Sequence, residues 1–478
     1  MKRCAVGTDP PAPPPAAETS SEAEAQPTLG ALSSIGIQKQ RWFFSASPVM
    51  KNRLTTPLLL TAIFLLASLL LSCSGVRGNS SPGTSSSGSG GGGSGSGGGS
   101  GAGPGSGSAQ FVYTADAQSF DISGFQLGSG GKLTPVPGSP VSVPSAPPAI
   151  NDPLAVAQAG KYLLVESTSP NVAPGIQSYA IDFTTGALTQ VNTATPPDSA
   201  NDFLAGGPLA VDQSKMVAYF PGESITSLPN GTSGAAALGA YAVNSDGSLS
   251  ALKGSPYGIP AETVALDPQG RFVYAIYNGQ ISVVLRNSDG SLGGMAPGSP
   301  MKLAGSPAST PLEACSFGSQ AVASPSGNFV YVTCGGSTSL NVFSVDGGGR
   351  LASVQTLSPS TTDDEMSGVA LNPAGTLLIA TKEAANSITV FSVDQGSGKL
   401  TEVATAMAGT RPNSVAFDTS GSFAYVSNGS SLISKDFSVP GSNNLSAYAV
   451  SKTGQLTPLA GSPYTTGSAP RSVTVVHP

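Results

Sequence analysis

The chain has 478 residues, of which only 10% are charged, while 61 are glycine and 40 are proline. That composition suits either a disordered chain or a β-fold rich in tight turns, and the length allows two or three average domains or one large repeat domain. From residue 109 onward 14 basic residues stand against 23 acidic ones, a net of −9, which leaves no basic patch for nucleic acid.

Residues 1–49 are rich in Pro, Ala and Glu and lack periodicity, so they read as a disordered extension. Residues 50–73, "MKNRLTTPLLLTAIFLLASLLLSC", read as a signal peptide. Lys51 and Arg53 form a positive start, and residues 57–71 are an apolar stretch short for a membrane span. Leu70-Leu71-Ser72-Cys73 resembles a bacterial lipobox, although Leu71 departs from the usual small residue. Lipidation at Cys73 is the expected outcome, with a plain secretory signal and an uncleaved anchor as the alternatives. A signal peptide belongs at an N-terminus, so Met50 is the expected start of translation, with a long cytoplasmic tail over residues 1–49 as the alternative. The single Trp, Trp42, precedes it. Residues 74–108 are almost wholly Ser and Gly and form a flexible tether. They are no phosphate loop, because no Lys follows the glycines.

Residues 109–478 are built from repeats. The phrase "GKLTPV" at Gly131 returns in weakened form at Gly186, Gly247, Gly290, Gly349, Gly398 and Gly454, at steps of 55, 61, 43, 59, 49 and 56 residues. A fixed phrase at unequal steps means one structural unit with variable loops. A second phrase keeps the same rhythm, as in "QFVYTAD" (110–116), "RFVYAIY" (271–277) and "NFVYVTC" (328–334). These continuous apolar runs predict strands buried on both faces. A shorter strand and a turn precede most of them ("VALDPQGRFVY"), and a third strand follows ("ITVFSVD", 388–394). G-x-L then opens the outer strand, with Gly supplying positive φ to the hairpin, and G-S-P is expected to end it. Four antiparallel strands in each of seven units predict an all-β, seven-bladed propeller. The first unit lacks a first strand, and the closing "RSVTVVHP" has no unit after it. The C-terminal strand is therefore expected to complete the first blade and close the ring.

"FVYVTCGGSTSLNVFSVD", "FAYVSN", "LSAYAV", "DPQGRFVY" and the recurring G-x-L-T resemble the seven-bladed lactonase propellers, the 6-phosphogluconolactonase-like group with Tyr-Val-Thr-Asn repeats. The resemblance spans residues 109–478. It implies the propeller fold and hydrolysis of a sugar lactone by His, acidic and Arg side chains near the pocket. These motifs are blade scaffolding, and propellers host enzymes, binders and structural modules alike.

The chain departs from that chemistry at one point. Its only His is His477, which aligns with Asp267 at a turn between first and second strands, on the face opposite the mouth. The polar residues just before each first strand are Asp152, Asp202, Glu262, Glu313, Asp363, Asp364, Glu365, Arg411 and Arg471. Arg411, Arg471 and Asp363 are the expected substrate-binding residues, since two Arg from adjacent blades can clamp a carboxylate or phosphate. Glu262 and Glu313 are the expected catalytic acids, activating water. The same acids fit two other uses, as ligands of a hard cation or as strand caps that pair with one another. No metal or cofactor is expected.

Cys315 and Cys334 fall in one blade, and an oxidising compartment favours a disulfide between them; two separate buried thiols are the alternative. The expected protein is an extracytoplasmic, lipid-anchored monomer, touching the membrane only through its anchor. It either hydrolyses a small anionic lactone or sugar acid derivative weakly, or binds a glycan, peptide or envelope protein without catalysis.

Overall fold

The computed structural model describes residues 109–143, 152–168, 175–194, 203–205, 208–224, 235–304, 319–334, 339–358, 366–429 and 441–478. Their strands form seven antiparallel sheets of four main strands each. This is the seven-bladed propeller. The blades are numbered here in chain order, and the strands of each are called inner, second, third and outer.

Ring closure follows the expected route. The inner strand of blade 1 is Pro470–Val476, which pairs with the second strand Gln110–Asp116, register Phe111 to Val476. His477 follows that inner strand and is exposed on the lower face, where its amide donates to Gln158 Oε1 at 3.2 Å.

The second strands are largely apolar because each blade face packs on a different neighbour. The core is seven clusters, each shared by two adjacent blades. One joins Phe272, Tyr274 and Ile276 of blade 4 to Val330, Val332 and Phe343 of blade 5. Another joins Val112 and Phe125 of blade 1 to Tyr425 and Leu445 of blade 7. Most large side chains on these strands therefore leave water almost completely, at roughly 25 cal/mol per Å² of apolar surface.

The G-x-L glycines do more than turn a hairpin. All seven have φ between 75° and 88°, a region costly for other residues. Each also lies against the preceding blade. A Cβ on Gly131 would sit 2.3 Å from Phe423, and one on Gly186 would sit 2.4 Å from Phe111. Buried tyrosines fasten the same seams: Tyr113 donates to the Gly186 carbonyl (2.6 Å), Tyr219 to Gly290 (2.6 Å) and Tyr425 to Gly131 (2.9 Å).

G-S-P does not end the outer strand, contrary to the sequence expectation. In blade 1 the outer strand runs Leu133–Pro135, breaks, and resumes as Val141–Ser142 on the same third strand, Asp121–Leu127. Blades 4 and 7 resume likewise at Met301–Lys302 and Tyr464–Thr465, and blade 3 at the single bridge from Tyr257 to Leu238. The break would leave one third-strand amide without an acceptor. The Ser of G-S-P takes that place. Ser139, Ser255, Ser299 and Ser462 Oγ accept from the amides of Gly124, Ala240, Val283 and Ala447 at 2.8, 3.0, 3.0 and 2.9 Å. The Ser-Pro bonds are cis in all four. Blades 2, 5 and 6 lack the phrase; their outer strands, Leu188–Ala194, Leu351–Leu357 and Leu400–Met407, run on without a gap, each with a one-residue bulge, at Val191, Val354 and Val403.

Candidate functional site at the mouth

The inner strands begin at the mouth, and they are not alike. Those of blades 2, 6, 7 and 1 (Asp152–Ala159, Met366–Leu371, Pro412–Phe417 and Pro470–Val476) are six to eight residues long, and each carries a register shift near its start. The extra residues are Leu154, Ser367 with Gly368, Asn413 and Arg471. In blade 3 the inner strand is interrupted, with Phe203–Ala205 and Ala210–Asp212 pairing separately to the second strand. The inner strands of blades 4 and 5, Thr263–Leu266 and Ala321–Ala323, are short and regular. Bulges re-aim side chains and leave backbone groups off the ladder, so the unusual wall of the mouth is the one made by blades 6, 7, 1 and 2.

Buried acids accompany these bulges. Asp116, Glu166 and Glu383 stand at or near the mouth ends of the second strands of blades 1, 2 and 6 and are 0%, 0% and 1% exposed. Sequence reasoning missed all three, because it looked only at the residues preceding the inner strands. The signal was the last letter of "QFVYTAD" and of "ATKE".

Glu383 decides the state of Arg411. Its Oε1 accepts from Arg411 Nη1 at 3.0 Å, and the Arg411 side chain is 25% exposed. The Arg411 backbone is also held. It adopts φ 58°, and its amide donates to Asn386 Oδ1 at 2.9 Å. The turn 383–386 of blade 6 thus grips both ends of a residue from blade 7.

Arg471 is the bulged residue of the blade 1 inner strand, is 8% exposed, and is already engaged in an interaction. The two arginines come from adjacent strands. Asn413, two residues after Arg411, donates through Nδ2 to the carbonyl of Pro470, beside Arg471, at 2.8 Å. Hydroxyl groups continue the lacing. Thr333 Oγ1 donates to the Ser367 carbonyl (2.7 Å), Gly368 N–H to Thr381 Oγ1 (2.6 Å), and Ser427 Oγ to Asn413 Oδ1 (2.7 Å). A Cβ on Gly368 would meet the Asn413 carbonyl at 2.8 Å, so only Gly lets these two inner strands approach.

Asp116 closes the seam. Its carboxylate accepts from Thr114 Oγ1 (2.8 Å), Ser123 Oγ (2.5 Å), Ser123 N–H (3.1 Å) and the Gly467 amide (3.1 Å), which lies just ahead of the ring-closing strand. Burial pushes its pKa up to about 8; the hydroxyl hydrogen bonds pull the other way, and Asp121, its cross-strand partner, adds to the rise.

Of the residues expected from sequence, Glu262 precedes the regular inner strand of blade 4 and is half-buried, its amide donating to the Ile276 carbonyl. It is not brought beside the arginines' strands. Glu313, Asp363, Cys73 and Cys315 lie outside the described residues. Cys334 is buried and disulfide-bonded. Among the described residues no group of three or more His, Cys, Asp or Glu side chains could hold a metal ion.

The upper and lower faces differ in charge. The hairpins of the lower face hold eight acidic and eight basic residues. They are internally used: Asp267 takes a bidentate pair from Arg271 (2.9 Å each), and Asp212 binds Arg286 Nη2 at 2.6 Å. The net −9 of the propeller therefore lies outside those hairpins.

No known family's sequence profile matches the chain, and no curated protein matches it. Solved structures do. The periplasmic gluconolactonase of Pseudomonas aeruginosa is 20% identical, with a TM-score of 0.57 over 77% of this chain and 99% of that one. A protein from Lactobacillus plantarum is 17% identical, with a TM-score of 0.57 over 77% of this chain and 99% of that one. A candidate 6-phosphogluconolactonase from Bacteroides uniformis is 16% identical, with a TM-score of 0.56 over 77% of this chain and all of that one. At these identities the likeness is one of fold.

Proposed function

We propose that the protein is an extracytoplasmic, lipid-anchored propeller of the lactonase kind that holds a sugar lactone over blades 6, 7 and 1 and turns it over slowly. The observation that carries this reading is the adjacency of Arg411 and Arg471 on two bulged inner strands linked through Asn413 and Pro470. An Arg N–H aimed at a lactone carbonyl polarises it and stabilises the oxyanion formed when water adds. The gluconolactonase of similar fold makes a lactone the first substrate to try. Slow turnover follows from what stands near the arginines. The one imidazole, His477, is on the lower face, and Glu383 is buried and bound to Arg411, so water lacks a strong base.

The same commitment of Arg411 to Glu383 favours a second reading, a non-catalytic propeller that binds a glycan or envelope partner. We place lipidation at Cys73 and pair Cys334 with Cys315 as parts of the same proposal. Hydrolysis assays over a panel of uncharged and phosphorylated aldonolactones, with thermal shifts on the open acids, separate the readings. Hydrolysis above the spontaneous rate supports the lactonase. No hydrolysis and no shift leaves the binding propeller.

A further inference from the structure

We propose that Glu383 is a specificity-determining residue: by neutralising Arg411 it makes the mouth select an uncharged sugar lactone and reject the phosphorylated lactone and the opened acid. This rests on the reading of the mouth as a lactone site. Two independent observations carry it. First, Arg411, which sequence reasoning assigned to an anion, spends an N–H on Glu383 Oε1 at 3.0 Å. Its backbone is held at φ 58° by Asn386 (2.9 Å), which keeps the residue beside the blade 6 turn that carries Glu383. An Arg paired in this way still offers N–H donors to a carbonyl or hydroxyl, but its charge is already balanced for a phosphate or carboxylate. Arg471 is 8% exposed and already has an interaction of its own.

Second, the lower-face hairpins are electrically neutral, so the propeller's net −9 sits elsewhere. Of the buried acids near the mouth, Glu166 brings part of it there; Asp116 keeps its proton up to about pH 8 and Glu383 is balanced by Arg411. A field of that sign repels anions and is indifferent to a neutral ring. It also suits the product side of the reaction. Water adds across the ring ester, the carbonyl carbon to ring oxygen bond breaks, the ring oxygen becomes a hydroxyl, and the new acid loses its proton to bulk water. The uncharged ligand has become an anion, which the mouth then expels.

The test measures binding by calorimetry of three probes: gluconolactam as a stable uncharged lactone mimic, gluconate and 6-phosphogluconate. Wild type should bind the lactam at least about ten-fold more tightly than either anion, one factor of ten being about 1.4 kcal/mol. Glu383→Gln keeps an oxygen for Arg411 and removes the charge. It should narrow that ratio at least about ten-fold, chiefly by tightening the anions. A wild type that prefers an anion overturns the proposal, as does a folded E383Q with an unchanged ratio. If E383Q does not fold, the wild-type ratio decides. If no probe binds either protein, the lactone reading itself fails and takes the specificity with it; lactam binding with an unmoved ratio sinks the specificity alone.

Discussion

Blades 6, 7, 1 and 2 differ from blades 4 and 5 in the way they build the wall of the mouth. The first group has long inner strands broken by bulges, and in blades 1, 2 and 6 an acid is buried near the end of the second strand. Among the described residues, which for blade 5 begin at Ser319, the second group has inner strands of four and three residues in regular register and no acid at those positions. Both groups bury the same kind of apolar seam. The scaffold is thus indifferent to the inner-strand irregularity, and a bulge that costs ladder hydrogen bonds without improving the core marks where the propeller does something other than fold.

The comparison can be broken most forcefully at the ring closure. Deleting residues 470–478 removes the bulged inner strand of blade 1 and exposes Phe111, Val112 and Tyr113, all fully buried. The melting transition should be lost, or the protein should fail to stay soluble. A truncated domain that melts like the full one would show that this strand is dispensable.

Next comes Glu383→Ala, set against Glu262→Ala. Removing one partner of a fully buried ion pair costs ~3–5 kcal/mol. Arg411 is 25% exposed, so solvent takes back part of that, and about 2 kcal/mol is expected. Glu262→Ala, a half-buried residue with an interaction of its own beside a regular strand, should cost less than Glu383→Ala. Equal losses by chemical denaturation would erase the distinction between the two sides.

The third test is pH. The native state holds the proton of Asp116 up to about pH 8, while the unfolded chain releases it near the ordinary Asp value of about 4. Between these values the unfolded state binds fewer protons, so this group's contribution to stability falls as pH rises and levels off above about 8. Asp116→Asn, which mimics the protonated acid, should flatten the melting temperature between pH 5 and about 8. A variant whose curve falls as steeply as wild type would assign the slope to another group.

The smallest effect sharpens the contrast from the regular side. Ser299→Ala in blade 4 deprives the Val283 amide of its acceptor at 3.0 Å and should cost ~1–2 kcal/mol. Ser299→Thr, keeping the hydroxyl, should recover most of it. No recovery would mean that packing, not the hydrogen bond, makes Ser the residue at this point.

The fold was legible because it is written in hydropathy and turn residues, repeated until the rhythm was unmistakable. Seven apolar second-strand phrases and seven positive-φ glycines specify the blades, and the unpaired "RSVTVVHP" specifies the closure. The site was legible in part. Arg411 and Arg471 stand out as charges before inner strands. Asp116, Glu166 and Glu383 do not, because each ends an apolar phrase and only the alignment of strand ends shows that it faces a bulge. Register shifts leave no mark in composition, so the grouping of the bulged blades could not be read. The Ser of G-S-P reads as punctuation for a related reason: its role is to accept from an amide in a neighbouring strand, a partner that no local pattern names.

A propeller presents seven outer edges to its surroundings, and an uninterrupted edge invites a passing chain to add itself as a further strand. In blades 1, 3, 4 and 7 the outer segments ahead of G-S-P are only three or four residues long, and beyond them Ser and Pro occupy the places where a partner's amide would dock. A foreign strand could form two or three hydrogen bonds there before meeting a kink. Blades 2, 5 and 6 have seven or eight residues in their outer strands, but each of these edges carries a one-residue bulge, at Val191, Val354 and Val403. The small phrase G-S-P thus works as insulation, and where it is absent a bulge breaks the regularity of the edge instead.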